Sequence, residues 1–238
     1  MIKPEKFKVK IIETKDLSNS VKILKLAVPQ GFNFEAGQCV SIKFDLIDGN
    51  PIRRSYSIAT PPFNLPYIEL CIKLVEKGAG STILCNKKVG EEIEIIAPLG
   101  SFKIDESSKN KDLIFIATGT GISPFISMIP LLLKNGFNKK IILISGFRNE
   151  KGWLYKQEFE QLEKKYKNFK YLTILSSPEK KEYKGEVGRV QKLIEKHIPE
   201  NFKGDFYICG LKTMIDGVIK LLEEKGVSKN SIFFEKYD

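Results

Sequence analysis

The sequence predicts two domains: an antiparallel six-stranded β-barrel, followed by an α/β domain with a doubly wound parallel sheet. In the first hundred residues, short segments alternate apolar with polar side chains, as strands with one solvated face do. From Asp112 onward, continuous apolar runs alternate with helical patterns, which is typical of parallel strands covered on both faces. The polar segment Ser107–Lys111 separates the two patterns and predicts domains at residues 1–106 and 107–238.

Six strands are expected in the barrel domain. Five of them alternate clearly, and they lie at Phe7–Ile11, Val21–Leu26, Val40–Phe44, Tyr67–Ile72 and Glu92–Ile95. The sixth contains Arg54–Ser57. Asp48-Gly49 predicts a tight turn, and one short helix is expected near Ser81–Lys87.

The second domain reads as strand alternating with helix. Its apolar runs are Leu113–Ala117, Ile141–Ile144, Tyr171–Leu175, Phe206–Ile208 and Ile232–Phe234. Helical patterns lie near Pro124–Lys134, Trp153–Tyr166, Arg189–Lys196 and Met214–Lys225. The last run is expected to be buried on both faces and to hold the carboxyl end of the chain in place.

A net charge of +10 over 238 residues allows three interpretations. These are attraction to nucleic acid, attraction to an acidic protein, and a lysine-rich composition without functional meaning. The lysines are spread along the chain and the aromatic residues lie mostly in apolar strands, which argues against nucleic-acid binding. An acidic electron-transfer partner and the composition alone remain as alternatives.

Cysteine and histidine usage restricts the possible redox chemistry. The four cysteines form no Cys-x-x-Cys pair and His197 is the single histidine, so neither a zinc site nor an iron–sulfur cluster has enough ligands. No metal is expected, and any redox chemistry requires an organic cofactor. No apolar run reaches membrane-spanning length and the first residues lack a secretory signal, so a cytoplasmic protein is predicted.

The stretch Arg54-Ser55-Tyr56-Ser57 joins a cation, an aromatic ring and hydroxyl groups. In a strand, Arg54 and Tyr56 share one face, while Ser57 lies on the other at an edge where it can meet a ligand. The arginine can neutralise a pyrophosphate, the tyrosine can lie against an apolar ring system, and the serine can hydrogen-bond a ring nitrogen. The stretch is therefore a candidate flavin cradle, although a plain edge strand has the same pattern.

Two glycine-rich turns are candidate phosphate sites because each precedes a predicted helix. The first contains Gly78, Ala79, Gly80, Ser81 and Thr82, and the second contains Thr118, Gly119, Thr120, Gly121 and, at the first turn of the helix, Pro124. Glycines let the backbone approach a phosphate, and the free N–H groups of a helix start attract anions. A structural turn with a serine N-cap, or a tight strand-to-helix turn, is the alternative interpretation.

Cys209 and Gly210 follow the fourth apolar run of the second domain, at the carboxyl edge of the sheet where ligands bind in such folds. A cysteine at this position can equally be a small apolar packing residue.

Taken together, these segments resemble the ferredoxin–NADP reductase family over nearly the whole chain. The matching stretches, in order, are Phe34–Gln38, Arg54–Ser57, Cys71–Val75, Gly78–Ser81, Pro98–Phe102, Gly119–Pro124, Cys209–Gly210 and Glu235–Tyr237. Ala36 stands where the family has proline before Gly-Gln. The resemblance implies a barrel that binds FAD, with FMN as the less favoured alternative, and a second domain that brings NADP or NAD to it.

The resemblance also implies roles for individual residues. Tyr56 would pack on one face of the flavin, Ser57 would approach N5, which receives the hydride, and Tyr237 would cover the opposite face. Cys209 would border the nicotinamide C4, and Glu235 would orient groups or relay a proton. The flavin pyrophosphate would be bound near Cys71, Ile72 and Lys73 and by the Gly78 turn. Asp238 follows Tyr237, whereas some members of the family end at the aromatic residue.

The nucleotide preference depends on the end of the third strand of the second domain. The candidate ribose-binding residues there are Ser176, Ser177, Lys181 and Tyr183. Hydroxyls and lysines suit a 2′-phosphate, but Ser177 stands where NADP-selective members often carry arginine. No acidic residue ends the strand to bind a free 2′-hydroxyl, so NADP is slightly favoured over NAD.

The leading functional hypothesis is an enzyme that passes electrons between NAD(P)H and a small acidic carrier such as ferredoxin or flavodoxin. The sequence contains no ferredoxin-like domain, so a reductase that acts on a separate partner is expected. One alternative is the reductase component of an oxygenase or dehydrogenase complex. An alternative from another class is a non-catalytic basic nucleic-acid-binding protein.

Overall fold

The computed structural model describes residues 2–45 and 51–237. The predicted turn at Asp48-Gly49 and the predicted effect of Asp238 lie outside these residues. Two compact units can be distinguished: one runs to Lys103 and also includes Ser123–Leu131, and the other comprises Ile104–Ile122 and the chain from Leu132 onward.

The first unit contains the predicted antiparallel sheet of six strands. They are β1 (Glu5–Ser18), β2 (Val21–Ala27), β3 (Cys39–Asp45), β4 (Pro51–Ser57), β5 (Tyr67–Lys73) and β6 (Glu92–Leu99). Their order in the sheet is β4-β3-β6-β1-β2-β5. One short helix, α1 (Ala79–Asn86), lies between β5 and β6 and begins two residues earlier than the pattern predicts.

Strand β1 is longer than the alternation of its side chains predicts because it pairs with two neighbouring strands. Its first half pairs with β6 and its second half with β2, and Lys10 pairs with both. Register shifts between Ile11 and Glu13 and between Asp16 and Ser18 interrupt the period of two. A bulge moves the following side chains to the other face, so alternation alone reveals only the first half of the strand.

The two edge strands of the barrel meet near Ile58. This residue, just after β4, forms an isolated bridge with Leu70 of β5, and the Ala59 N–H donates to the Glu69 carbonyl at 2.8 Å. Within residues 2–45 and 51–237, β4 and β5 form no ladder and stand at opposite ends of the sheet order. Arg54–Ser57 and Cys71–Lys73 therefore flank a seam in the barrel wall.

The second unit contains a parallel sheet of six strands. They are β7 (Leu113–Thr118), β8 (Ile141–Phe147), β9 (Phe169–Leu175), β10 (Glu186–Val187), β11 (Asp205–Leu211) and β12 (Ile232–Tyr237), in the order β10-β9-β8-β7-β11-β12. The chain moves outward from β7 to β10 and then returns to the other side of β7. The switch point of this doubly wound sheet therefore lies between β7 and β11, where such folds bind ligands.

Four further helices belong to the α/β pattern. They are α2 (Ser123–Lys134), α3 (Lys156–Lys165), α4 (Val190–His197) and α5 (Lys212–Glu224). The faces of α4 and α5 bury Val190, Leu193, Ile194, Ile215 and Val218 against the sheet. None of the described helices has the length and apolar character needed to cross a membrane.

Two features of the parallel sheet differ from the prediction. The strand β10 was not predicted, because two residues are too short for any periodicity, and it forms by pairing Glu186 and Val187 with β9. The prediction that Ile232–Phe234 is buried on both faces was wrong. The strand β12 is an edge strand, where Phe233 stacks on Tyr207 with 4.9 Å between ring centroids while Phe234 is 46% exposed.

A buried polar network holds the start of β11. The Asp205 carboxylate is fully buried, accepts a hydrogen bond from Ser108 Oγ at 2.6 Å and pairs with Lys111 Nζ at 3.0 Å from each oxygen. The Tyr207 hydroxyl contacts Ser108 Oγ at 2.8 Å and accepts from the Asp105 N–H at 2.9 Å. The network ties the segment before β7 to β11.

We expect Lys111→Ala to lower the free energy of unfolding by about 2–3 kcal/mol, because it leaves the Asp205 carboxylate buried without its counter-charge. Lys109→Ala is the matched control, since Lys109 forms an exposed pair with Glu106 and its loss should change stability little. Urea unfolding of both variants measures the difference. Equal stability of the two variants would contradict the assigned role of Lys111.

Candidate functional site

The strand β4 presents its candidate residues in three environments. Arg54 is exposed and its Nη1 donates to the Arg53 carbonyl at 2.8 Å, so the guanidinium stays at the surface. Tyr56 is half-buried against the barrel core, and burial raises its pKa to about 12, with a smaller contribution from Cys85. Ser57 is buried at the end of the strand. An exposed cation, a neutral phenol and a buried serine thus follow one another along the seam.

The other side of the seam is formed by the end of β5. Cys71 and Ile72 are buried and Lys73 is exposed. The Ile72 side chain packs in the barrel core, whereas the backbone of this segment and the exposed Lys73 ammonium can contact a ligand along the seam. The structure therefore brings the predicted segments 54–57 and 71–73 to the same part of the barrel.

The Gly78 turn forms the start of α1, with Gly78 as N-cap. Ser81 Oγ donates to the Gly78 carbonyl at 3.0 Å and accepts from the Val75 N–H at 3.1 Å. Its hydroxyl hydrogen is therefore used within the turn, and Ser81 can offer a phosphate its backbone N–H. The serine is not the N-cap. Gly80 is buried, and a Cβ added there would lie 3.0 Å from the Phe44 ring. Close packing against Phe44 therefore explains why the second glycine of the turn carries no side chain.

In the second unit, the loop after β7 lies directly against the end of β11. A Cβ added to Gly121 would lie 2.3 Å from the Cys209 carbonyl oxygen and 2.8 Å from Gly210 Cα, so no side chain fits. Gly119 has a φ of +54°, and a Cβ added there would meet no atom within 4 Å. One glycine of the loop thus permits backbone contact, while the other lies beside open space.

Gly210 is required for two reasons. Its φ of +152° is rare for residues with a side chain, and an added Cβ would lie 2.7 Å from both Met214 Cε and Thr118 Oγ1. Thr118 and Gly121 therefore enclose the end of β11 from the β7 side. The predicted loop and the predicted Cys209-Gly210 pair meet at the switch point of the sheet. Pro124 lies buried in the first turn of α2.

Cys209, Glu235 and Tyr237 are neighbours at the ends of β11 and β12. Cys209 pairs with Glu235 in the parallel register, and Leu211 pairs with Tyr237. Burial raises the pKa of the Cys209 thiol well above its usual value, the Glu235 carboxylate raises it further, and a hydrogen bond with the Tyr237 side chain lowers it. The thiol is therefore neutral. It acts as a small uncharged group and not as a thiolate nucleophile.

The candidate ribose-binding residues lie at the carboxyl end of β9. The Ser176 N–H donates to the Phe147 carbonyl at 2.9 Å and the Ser177 N–H donates to the Arg148 carbonyl at 2.7 Å. Both serines, Lys181 and Arg148 are exposed. Sequence reasoning missed Arg148, because it follows β8 and only the parallel pairing of β8 with β9 brings it beside Ser177.

The same edge also contains carboxylates that the local sequence does not reveal. Glu150 accepts hydrogen bonds from the Glu179 N–H at 2.9 Å and the Lys180 N–H at 3.2 Å, and these bonds hold its pKa below the usual range. Glu179 in turn accepts from Asn149 Nδ2 at 2.7 Å and pairs with Lys151. The Glu150 and Glu179 carboxylates therefore lie near this strand end, although no acidic residue ends the strand itself.

Tyr183 lies in the loop that these contacts hold. A Cβ added to Gly185 would lie 2.2 Å from the Tyr183 hydroxyl, so the ring folds back over its own loop. Burial is the main cause that raises the pKa of Tyr183, and the charges of Glu150 and Glu186 raise it further.

No group of three or more histidine, cysteine, aspartate or glutamate side chains is placed to bind a metal ion within residues 2–45 and 51–237. The candidate residues form two sets, one in each unit. The first set consists of the β4 and β5 seam with the start of α1, and the second consists of the loops at the carboxyl edge of the parallel sheet.

Comparison with known protein families divides the chain in the same order. Residues 8–104 match the oxidoreductase FAD-binding domain, and residues 115–220 match the oxidoreductase NAD-binding domain. Ferredoxin–NADP reductase B of Sorangium cellulosum is 33% identical over 251 aligned residues, which cover 100% of both chains.

Other relatives are longer than this chain. The phenol 2-monooxygenase reductase component DmpP of a Pseudomonas species is 36% identical over 93% of this chain, and the phenol hydroxylase P5 protein of Acinetobacter pittii is 32% identical over 97%. This chain spans 63% and 65% of their lengths.

Solved structures show the same fold. A mutant ferredoxin–NADP⁺ reductase from Plasmodium falciparum with 2′P-AMP superposes with a TM-score of 0.80 and 28% identity, covering 98% of this chain and 96% of the other. A ferredoxin NADP⁺ reductase from Neisseria gonorrhoeae with bound FAD and NADP has a TM-score of 0.84 at 19% identity, covering 97% and 98%.

We expect Gly121→Ala to lower the free energy of unfolding by about 1–3 kcal/mol, because its Cβ must push the β7 loop away from the Cys209 carbonyl. Gly152→Ala is the matched control, since an added Cβ there makes an ordinary 3.6 Å contact with Asn149 Oδ1. Thermal or urea unfolding distinguishes the two variants. If Gly121→Ala is as stable as Gly152→Ala, the backbone contact is not a constraint.

Proposed function

The chain belongs to the ferredoxin–NADP reductase family, and we propose that it passes electrons between NAD(P)H and a small one-electron carrier by way of FAD. The observation that carries this proposal is the contact of Gly121 with Cys209 and Gly210 at the switch point of the parallel sheet. The glycines of the loop at that place let a dinucleotide approach the backbone and the start of a helix. The match to a NAD-binding domain covers the same loop.

The residues of the barrel fit a flavin in position and chemistry. Bound FAD would accept two electrons together and release them singly, which is the chemistry that the side chains lack. We assign Arg54, Lys73 and the first amides of α1 to the pyrophosphate, because an exposed guanidinium, an ammonium and a helix start all favour an anion. Tyr56 offers a neutral ring for packing, and buried Ser57 can hydrogen-bond a fixed ring atom.

The second set of residues would hold the nicotinamide. Thr118, Gly119, Thr120 and Gly121 supply backbone groups, and Cys209 supplies a neutral thiol that adds no charge beside the ring. We propose that Glu235 orients polar groups or relays a proton at this edge. We also propose that Tyr237 packs on a face of the flavin ring. The work of these residues is mainly positioning, since hydride transfer depends on the distance and alignment of two rings.

We propose that NADP is preferred over NAD. Arg148, Ser176, Ser177 and Lys181 offer a guanidinium, hydroxyls and an ammonium to a 2′-phosphate. Glu150 favours the opposite choice, but its two oxygens already accept backbone hydrogen bonds from residues 179 and 180. Its charge is therefore partly satisfied within the loops.

The electron carrier is proposed to be a small acidic ferredoxin or flavodoxin, since the chain has a net charge of +10. The similarity to a phenol 2-monooxygenase reductase component favours a second candidate, a reductase that serves an oxygenase. If the protein reduces ferredoxin with NAD(P)H and needs no other protein component, the first candidate is favoured over the second. We also propose a cytoplasmic protein, because all four cysteines are thiols in the structure.

The flavin tests the proposed function directly. We expect the purified protein to bind FAD. We also expect NAD(P)H to bleach the bound FAD in the absence of oxygen. We further expect Arg54→Ala to weaken FAD binding about 10- to 100-fold, through loss of a charge-assisted contact with the pyrophosphate. Arg53→Ala is the matched control because Arg53 is the adjacent exposed arginine on the same strand. Protein that binds neither FAD nor NAD(P)H would refute the function, whereas equal FAD retention in both variants would refute only the role of Arg54.

Nucleotide choice is tested at Arg148. We expect Arg148→Ala to raise the KM for NADPH about tenfold and to leave the KM for NADH nearly unchanged, because only NADPH carries the 2′-phosphate. Arg189→Ala, at the N-cap of α4, is an exposed arginine control. Steady-state reduction of ferricyanide with each nucleotide provides the measurement. A parallel rise for both nucleotides would show that Arg148 does not read the 2′ position.

A further inference from the structure

A groove of about 600 Å³ lies at the amino-terminal edge of the parallel sheet, where β7, β8 and β9 begin. Four of the residues that line it are lysines: Lys139, Lys140, Lys167 and Lys170. All four are exposed. We call this feature the lysine groove. It lies at the end of the sheet opposite the Thr118–Gly121 loop, about 20 Å away along the six residues of β7.

The lysine groove has more positive charge than its surroundings neutralise. Lys170 pairs with Glu163 at 3.1 Å, whereas Lys139, Lys140 and Lys167 form no ion pair with any residue in the described ranges 2–45 and 51–237. The acidic residue in the groove lining is Asp112, and its Oδ1 accepts the Lys140 backbone N–H at 2.9 Å. Three uncompensated ammonium groups around one concave surface attract an anionic partner.

The lining favours carboxylates over nucleic acid. The apolar residues Ile142 and Phe169 are 9% and 3% exposed, so they form a floor without offering a ring on which a base can stack. The nearby Tyr166 ring is covered by Lys165, whose Nζ lies 5.2 Å from the ring centroid. The groove lining contains lysine but no arginine, and flexible point charges suit separate carboxylates better than bidentate phosphate contacts.

We propose that the lysine groove is a docking site for an acidic segment of a partner protein. Docking there leaves the Thr118–Gly121 loop uncovered, because this loop lies at the opposite edge of the same sheet. The partner and NAD(P)H therefore bind independently. This goes beyond the proposed electron transfer, which requires no contact at this edge.

The test uses FAD-loaded full-length protein and a fluorescein-labelled peptide of twelve alternating glutamate and aspartate residues, at low salt. We expect Lys139→Gln, Lys140→Gln and Lys167→Gln combined to weaken peptide binding about tenfold or more, since three ion pairs are lost. The control combines Lys3→Gln, Lys10→Gln and Lys15→Gln, three exposed lysines of the first unit, and removes the same net charge. We expect this control to bind the peptide nearly as the unaltered protein does, and saturating NADPH to leave peptide affinity unchanged.

Other results would overturn the proposal. Equal weakening in both triple variants would mean that the peptide responds to net charge and not to the groove. Competition between peptide and NADPH would place the peptide at the nucleotide edge. A single-stranded oligonucleotide of equal charge that binds more tightly, and loses affinity in the groove variant alone, would identify a nucleic-acid groove. None of these measurements depends on turnover, so the proposed electron transfer can fail while the docking site stands.

Discussion

Backbone packing between the loop after β7 and the end of β11 is the constraint on which the second unit depends. Gly121 lies so close to the Cys209 carbonyl and to Gly210 that a single methyl group would overlap both. Gly210 in turn leaves no space beside Thr118 and Met214. Because side chains are excluded here, the two loops can meet where the strand order reverses. A ligand at this edge can then reach the peptide groups of Gly119 and Gly121.

The same contact explains why Cys209 has its chemical character. With its backbone covered by Gly121, the Cys209 side chain is fully buried, next to Glu235 and Tyr237 of β12. Burial and a neighbouring carboxylate both favour the protonated thiol. A serine would bring a stronger hydrogen-bonding group to the same buried place.

The sequence predicted the fold where local periodicity and the final structure agree. Apolar runs such as Leu113–Ala117 and Ile141–Ile144 became central parallel strands because they have neighbours on both sides. Ile232–Phe234 has the same composition but lies at an edge, which composition cannot reveal. The seam between β4 and β5 depends on a long-range bridge at Ile58, so the sequence suggested its residues without their arrangement.

Partners that lie far apart in the chain were the hardest to predict. Glu150 reaches the backbone of Glu179 and Lys180 because β8 and β9 are parallel neighbours, and their carboxyl ends therefore meet at one edge. No local motif contains this information. The glycine-rich loops were easier to predict because their residue pattern is local, although the contacts that exclude a side chain at Gly80 and Gly121 come from Phe44 and Cys209.

The lysine groove at the opposite edge of the parallel sheet also consists of residues that lie far apart in the chain. Along the sequence the lysines are spread out, which was used as an argument against nucleic-acid binding. Parallel strands begin at one edge, however, so Lys139 and Lys140 before β8 meet Lys167 and Lys170 around the start of β9. Spacing along the chain is therefore a poor measure of charge clustering in a doubly wound sheet. The relevant quantity is how many lysines fall within a few residues of a strand start.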